Sequence, residues 1–80
     1  MLVEAFHLLD LTPEPSIQKQ LLVTRILDVL EVGIRLRHFT PINVETLKNK
    51  IIHLEHVPNH IKHVFISIID AQIQVGNLQP

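Results

Sequence analysis

Apolar residues recur at helical spacing along most of the chain, and turn-forming residues divide them into four stretches. The first stretch, residues 2–11, places Leu2, Phe6 and Leu9 three or four residues apart. That spacing puts the three side chains on one face of a helix, so it predicts a short amphipathic helix.

The second predicted helix is apolar around most of its circumference. Thr12 and Ser16 are alternative N-caps, and Gly33 is the residue at which we expect the helix to end. A helix with so narrow a polar stripe has to be covered on several sides, so we predict that it forms the centre of the core. Its apolar residues are Leu21, Leu22, Val23, Ile26, Leu27, Val29, Leu30 and Val32. Residues 34–40 are predicted to form a connection.

The third predicted helix has the clearest separation of apolar and polar faces. Thr40 or Asn43 is expected to cap it. Pro58 biases the preceding Val57 away from helical geometry, so the helix should end near His56. Its apolar face consists of Val44, Leu47, Ile51 and Leu54.

The fourth stretch is predicted to be a helix that begins at a capping Asn59. Residues 63–69 are rich in β-branched side chains, which leaves a strand as the alternative. The apolar positions follow a period of 3.6 more closely than a period of two, and this favours the helix. Those positions are Ile61, Val64, Phe65, Ile68, Ile69 and Ile73.

Residues 15–33 are echoed 43 residues later by residues 58–76, and we call this the internal repeat. The identical pairs are Pro15 with Pro58, Lys19 with Lys62, Ile26 with Ile69, Val32 with Val75, and Gly33 with Gly76. A fixed period of this length indicates stacked helical hairpins, with the paired Pro and Gly at equivalent joints. We therefore predict one domain over residues 1–80, divided into repeat one at 1–33, the connection at 34–40, repeat two at 41–76 and a tail at 77–80.

The stretch LLDLTPEPSIQKQ at residues 8–20 resembles the armadillo and HEAT repeat families. It is similar to their leucine-rich helix end, Pro/acidic turn and start of the long helix. The resemblance implies an all-α, four-helix, two-repeat αα-hairpin domain, either solenoid-like or closed into a compact bundle. It also implies a scaffolding role in protein–protein contact. The Trp and Asn that many armadillo repeats use to hold a peptide are missing from residues 25–29.

Two helical repeats leave apolar surface that a third repeat would normally cover. Either the four helices close into a compact bundle, or another chain covers the face. We therefore expect the partner to be another protein or a second copy of the chain.

Composition narrows the other functional classes. Seven Lys and Arg against eight Asp and Glu give a net charge of −1, and the chain has no Trp or Tyr on which bases could stack, so nucleic-acid binding is disfavoured. No apolar run is long enough to predict a membrane span. The absence of cysteine excludes disulfides and thiolate metal sites, and it favours an intracellular location, cytoplasmic or nuclear.

Six histidines are many for 80 residues, and His53, His56, His60 and His63 lie close together in sequence. The favoured interpretation is a set of solvated side chains at a corner between two helices. The alternatives are a metal site, since histidines one helical turn apart can share a zinc ion, and a response to pH near the imidazole pKa of about 6.5.

The predicted function is a non-enzymatic protein–protein interaction module without a cofactor. Two glycines and no cysteine offer neither a phosphate-binding loop nor a thiol nucleophile. An alternative rests on residues 41–47, which resemble one helix of the small N-terminal bundle of transcription-elongation factors. The candidate partner-binding residues, chosen from the polar faces of the two long helices, are Gln18, Arg25, Asp28, Lys62, Ser67 and Gln74.

Overall fold

The chain folds into a small all-α bundle, as the hydrophobic pattern predicts. In the computed structural model, which describes residues 2–13, 16–36 and 43–78, helices account for all the regular secondary structure of those residues. The radius of gyration of 12.1 Å is close to the value of about 11.6 Å expected for a compact chain of this length. The fold class is therefore confirmed as an all-α bundle, and the armadillo/HEAT resemblance stays a prediction.

Four α-helices and one π-helical turn make up the bundle. They are α1 (Leu2–Leu11), α2 (Ile17–Asp28), the π turn (Val29–Gly33), α3 (Val44–Ile52) and α4 (Asn59–Gln74). Helix α1 packs against α2 and α3, while α4 packs against α3 and the π turn. The chain therefore forms two helix pairs, α1 with α2 and α3 with α4. Contacts of α1 with α3 and of the π turn with α4 join the two pairs across the core.

The core is built around two aromatic rings. Phe6 and Phe65 are fully buried, and their ring centroids lie 5.2 Å apart at an interplanar angle of 72°, an edge-to-face contact. Leu9 is buried beside them, as the spacing in α1 predicts. Ile26 and Ile69 are matched positions of the internal repeat, and both lie in this core.

Helix α2 does not form the centre of the core, so that prediction is wrong. Ile26 is buried, but Leu22, Val23 and Leu27 are only partly covered and Leu21 is exposed. The reason is geometric: with the described helices packed around the two phenylalanines, α2 is covered on one face only.

The second helical segment ends at Gly33, as predicted, but its last turn is not α-helical. Beyond Asp28 the backbone hydrogen bonds change to the π pattern, in which each N–H donates to the carbonyl five residues earlier. The Ile34 N–H donates in this way to the carbonyl O of Val29 at 3.3 Å. Gly33 lies buried inside this turn, and Ile34 still has helical dihedral angles of φ −66° and ψ −46°. Gly33 is therefore the last residue of the π turn, and the Leu36 N–H continues the helical hydrogen bonding past it, to the carbonyl O of Val32 at 2.9 Å.

The two predicted N-caps at the α1–α2 turn have different roles. The Ser16 Oγ accepts a hydrogen bond from the Lys19 N–H at 3.1 Å, so Ser16 caps α2. The Thr12 Oγ1 instead donates to the carbonyl O of Leu8 at 2.7 Å and closes the end of α1.

Helix α3 begins as predicted and ends earlier. The Asn43 side chain accepts from the Thr46 N–H at 3.0 Å, which is the expected cap; the alternative at Thr40 lies outside the described residues. The helix ends at Ile52 instead of near His56. The chain unwinds there because residues 53–58 turn back to bury Leu54 and Val57 in the core.

The fourth stretch is a helix, so the strand alternative is wrong. Pro58 occupies the N-cap position, and Asn59 is the first helical residue, not the cap. At the other end Gly76 adopts a φ of 83° and donates from its N–H to the carbonyl O of Ile73 at 3.1 Å. Asn77 N–H donates to the carbonyl O of Gln72 at 2.9 Å, which completes a Schellman cap.

The paired glycines of the internal repeat therefore occupy different joints. Gly76 is an exposed left-handed cap, whereas Gly33 lies buried within the π turn. The prediction that they are equivalent is wrong, and Pro15 lies outside the described residues. Among the helices of the described part, none has the length and hydrophobicity that crossing a bilayer requires.

Candidate functional site

The loop between α3 and α4 is held in place by two charged side chains from the first helix pair. The His56 N–H donates to the Asp10 carboxylate at 2.7 Å, and the Lys19 ammonium donates to the carbonyl O of His56 at 2.7 Å. Both backbone polar groups of one loop residue are thus bound by α1 and α2. We call this arrangement the loop clamp.

Lys19 is the buried charged residue of the described chain, with 4% of its surface exposed. Its aliphatic stem runs through the apolar region between α2 and the loop, and its ammonium donates to the carbonyl O of His56. A buried charge is tolerated when it is hydrogen-bonded in this way. The primary role of Lys19 is therefore structural.

Asp10 experiences opposing influences on its pKa. Partial burial acts to raise the pKa, but hydrogen bonds from the backbone N–H groups of His56 and Glu55, with the electrostatic influence of His56 and Lys19, lower it below its ordinary value. The net direction shows that the fold favours the ionised carboxylate. Asp10 thus works as an acceptor for the loop and is not poised as a general acid near neutral pH.

Two shallow depressions flank the loop clamp. One, of about 360 Å³, lies between the start of α2 and the start of α4; the other, of about 620 Å³, lies between the α1–α2 turn and the loop. Lys19, Val57 and Pro58 line both. Two of the polar groups that line them are already engaged, since the Ser16 Oγ caps α2 and the Lys19 ammonium binds His56.

The four clustered histidines do not assemble into a site. His53 is the C-cap that follows α3, and its Nδ1 lies 2.7 Å from the carbonyl O of Asn49. The His56 ring lies in the loop with its Nε2 4.0 Å from a Glu55 carboxylate oxygen, and His60 and His63 are exposed on α4. Across residues 2–13, 16–36 and 43–78, no three His, Cys, Asp or Glu side chains come close enough together to hold a metal ion.

The outer face of α2 carries exposed apolar side chains. Ile17 is 75% exposed and Leu21 is 61% exposed. Ile17 and the buried Ile26 are nine residues apart, so at about 100° per residue they lie on opposite sides of the helix. The face that carries Ile17 therefore points directly away from the core. The exposed side chains that continue it toward the end of the helical segment are Val32 and Leu36. We call this row the α2 stripe.

Three of the predicted partner-binding residues lie on α2. Gln18, Arg25 and Asp28 are all exposed. Arg25 and Asp28 fall within the α2 stripe between its two apolar ends, and Gln18 lies beside Ile17 at its edge. The structure thus places these polar candidates among exposed apolar side chains instead of along a purely polar face.

The three candidates on α4 do not share one surface. Ser67 and Gln74 are exposed, seven residues and therefore about two turns apart. Lys62 is half-buried and donates from its ammonium to the carbonyl O of Ile52 at 3.1 Å, where it satisfies the end of α3. Lys48 pairs with Asp70 across the same two helices.

Sequence reasoning missed the loop clamp and misassigned the α2 stripe. Nothing local marks Asp10 as the partner of a residue 46 positions away. Lys19 had a signal, since its identity with Lys62 in the internal repeat singled it out, and both lysines donate to a carbonyl at or after the end of α3. Leu21 and Val32 were assigned to the core because apolar residues on a helix are usually buried.

Comparison of the chain with protein-family models, with curated proteins and with solved structures finds no match. No relative therefore supplies a function for any of these residues. The functional argument rests on the loop clamp and on the α2 stripe.

Proposed function

We propose that the chain is a non-enzymatic protein–protein interaction module that contacts its partner through the α2 stripe. The observation that carries the proposal is the exposure of Ile17 and Leu21 on the face of α2 opposite the core. Contiguous exposed apolar side chains on a small soluble domain are typical of interaction surfaces. Arg25 and Asp28 lie between the apolar ends of the stripe, where their charges can select a partner of complementary charge.

The energy available from the α2 stripe suits a modest affinity. Fully burying a Leu, Ile or Val side chain gains about 1.5–3 kcal/mol. The four apolar side chains are between 41% and 75% exposed, so covering them gains roughly half of that each, on the order of 3–6 kcal/mol in all. Association itself costs at least about 4 kcal/mol, so the charged residues must contribute for binding to be specific.

The loop clamp supports this role by fixing the surface in advance. Because Lys19 and Asp10 tie the α3–α4 loop to the first helix pair, α2 is joined to the rest of the bundle at its N-terminal half. A rigid helix loses little conformational entropy when a partner covers it. The armadillo/HEAT resemblance supports the same scaffolding role, and an intracellular location, cytoplasmic or nuclear, belongs to the proposal because the chain has no cysteine.

Site-specific photo-crosslinking in cells tests the proposal. A benzophenone amino acid is introduced at position 17 or 21 of the α2 stripe, and at position 45 as a control, since Glu45 is also exposed but lies on α3. We expect protein adducts from positions 17 and 21 and none from position 45. Equal labelling from all three positions, or adducts from position 45 alone, would show that the α2 stripe is not the contact.

A further inference from the structure

The α2 stripe is symmetrical in both its spacing and its chemistry. Its members, from one end to the other, are Ile17, Leu21, Arg25, Asp28, Val32 and Leu36. The intervals are four, four, three, four and four residues, so the order is the same from either end. From either end the sequence of types is two apolar residues, one charged residue, one residue of opposite charge, and two apolar residues.

All six side chains are exposed, and the π turn brings them onto one face. In an uninterrupted α-helix the nineteen steps from Ile17 to Leu36 would leave Leu36 about 100° away from Ile17. The π turn accommodates one extra residue, which takes back about that angle. The π turn that ends at Gly33 therefore returns Val32 and Leu36 to the row that begins at Ile17.

We infer that the partner of the α2 stripe is a second copy of this chain, packed antiparallel across a two-fold axis between positions 26 and 27; this inference rests on the proposed function. In that arrangement Ile17 faces Leu36 of the second copy, and Leu21 faces Val32. Arg25 faces Asp28 of the second copy, and the symmetry repeats each contact.

Charge selects this arrangement over the other ways of covering the stripe. Antiparallel packing gives two pairs of opposite charge, whereas parallel packing in register would place Arg25 against Arg25 and Asp28 against Asp28. An unrelated protein would need only a complementary row, and nothing in such a contact would require the stripe to be its own complement.

The size of the stripe predicts a weak dimer. It is about 28 Å long and about 10 Å wide, so the two copies together would bury on the order of 600 Å². That lies below the 1,200–2,000 Å² of stable complexes, so we expect a weak and reversible association.

Sedimentation equilibrium from about 10 µM to 1 mM measures the association, with charge reversals as the perturbation. We expect R25D and D28R each to raise the dissociation constant at least tenfold, because each places like charges opposite one another twice. The double variant R25D/D28R restores both pairs and should return within about threefold of the wild type. An equimolar mixture of R25D and D28R should form mixed dimers. E45R reverses an exposed acid on α3 and should change nothing.

Cysteine crosslinking tests the direction and register of the packing. The wild type has no cysteine, so any disulfide comes from the introduced residues. We expect L21C mixed with V32C to form a crosslinked pair on mild oxidation, and L21C alone to stay monomeric. Crosslinking of L21C with itself would indicate parallel packing and would overturn the inference.

The remaining outcomes separate this inference from the proposed function. A wild type that stays monomeric to 1 mM while position 21 photo-crosslinks a different protein would overturn the second copy as partner and leave the interaction module intact. A monomer without position-specific adducts would overturn both. The substituted residues are exposed, so we expect each variant to fold like the wild type. Unchanged far-ultraviolet circular dichroism and melting temperature establish this for each variant.

Discussion

Replacing Lys19 by Met removes the charged half of the loop clamp while keeping most of the side-chain volume. The Met side chain can follow the path of the lysine stem, so packing between α2 and the loop is largely retained. The change removes the hydrogen bond from the ammonium to the carbonyl O of His56, together with the positive charge that acts on Asp10. K19M therefore tests whether the ammonium of Lys19 stabilises the fold.

The expected cost follows from the burial of the site. A hydrogen bond that involves a charged group contributes about 1.5–3 kcal/mol, and a buried acceptor left without its donor costs about 1–3 kcal/mol. Removing the ammonium also relieves the free energy of keeping a charge at 4% exposure, which offsets part of the loss. We expect K19M to lower the free energy of unfolding by about 2 kcal/mol, equivalent to a fall of roughly 8–16 °C in melting temperature for a domain of this size.

Lys62 supplies a matched control, because it occupies the equivalent position of the internal repeat. Its ammonium also donates to a carbonyl oxygen, that of Ile52 at 3.1 Å, but the bond is exposed to solvent. Water can replace the donor there, so K62M should cost less than about 1 kcal/mol. Urea unfolding followed by circular dichroism at 222 nm measures both variants against the wild type.

Two results would refute the reasoning. If K19M is as stable as the wild type, the loop does not depend on the Lys19 ammonium, and the bond to His56 contributes nothing measurable. If K62M costs as much as K19M, burial does not distinguish the two lysines. A lowered slope of the free energy with urea concentration in K19M would indicate instead that the loop is already open in the native state.

The helices could be predicted from sequence because each is specified locally. The spacing of Leu2, Phe6 and Leu9 predicts α1 with the bounds that the structure has, and Asn43 caps α3 as its residue type suggests. The period of the apolar residues also decided α4 correctly against its β-branched composition. Periodicity and capping act within a few residues, so a single sequence carries them in full.

The errors share a different cause, which is that burial depends on what else packs nearby. Nothing in the sequence of α2 says how many neighbours cover it, so Leu21 was assigned to a core from which the structure excludes it. The early end of α3 has the same origin: Leu54 and Val57 enter the core from a loop that is held by Lys19, a residue far away in sequence. Tertiary contacts of this range leave no local pattern.

Two further predictions concern backbone conformation and pH. G76A should lower the free energy of unfolding by about 1 kcal/mol, measured by urea unfolding, because Gly76 has a φ of 83° that disfavours a Cβ; an added Cβ meets no atom within 4 Å, so a much larger loss would contradict a purely conformational cost. D10N keeps an oxygen that can accept from the His56 N–H and removes only the charge. Since the fold lowers the pKa of Asp10, the carboxylate stabilises the protein above its unfolded pKa of about 3.9, and this contribution disappears as the pH falls through the folded value. Urea unfolding of wild type and D10N should therefore differ at pH 7 and converge as the pH falls through the folded pKa of Asp10. A difference that stays constant with pH would show that the charge of Asp10 does not hold the loop.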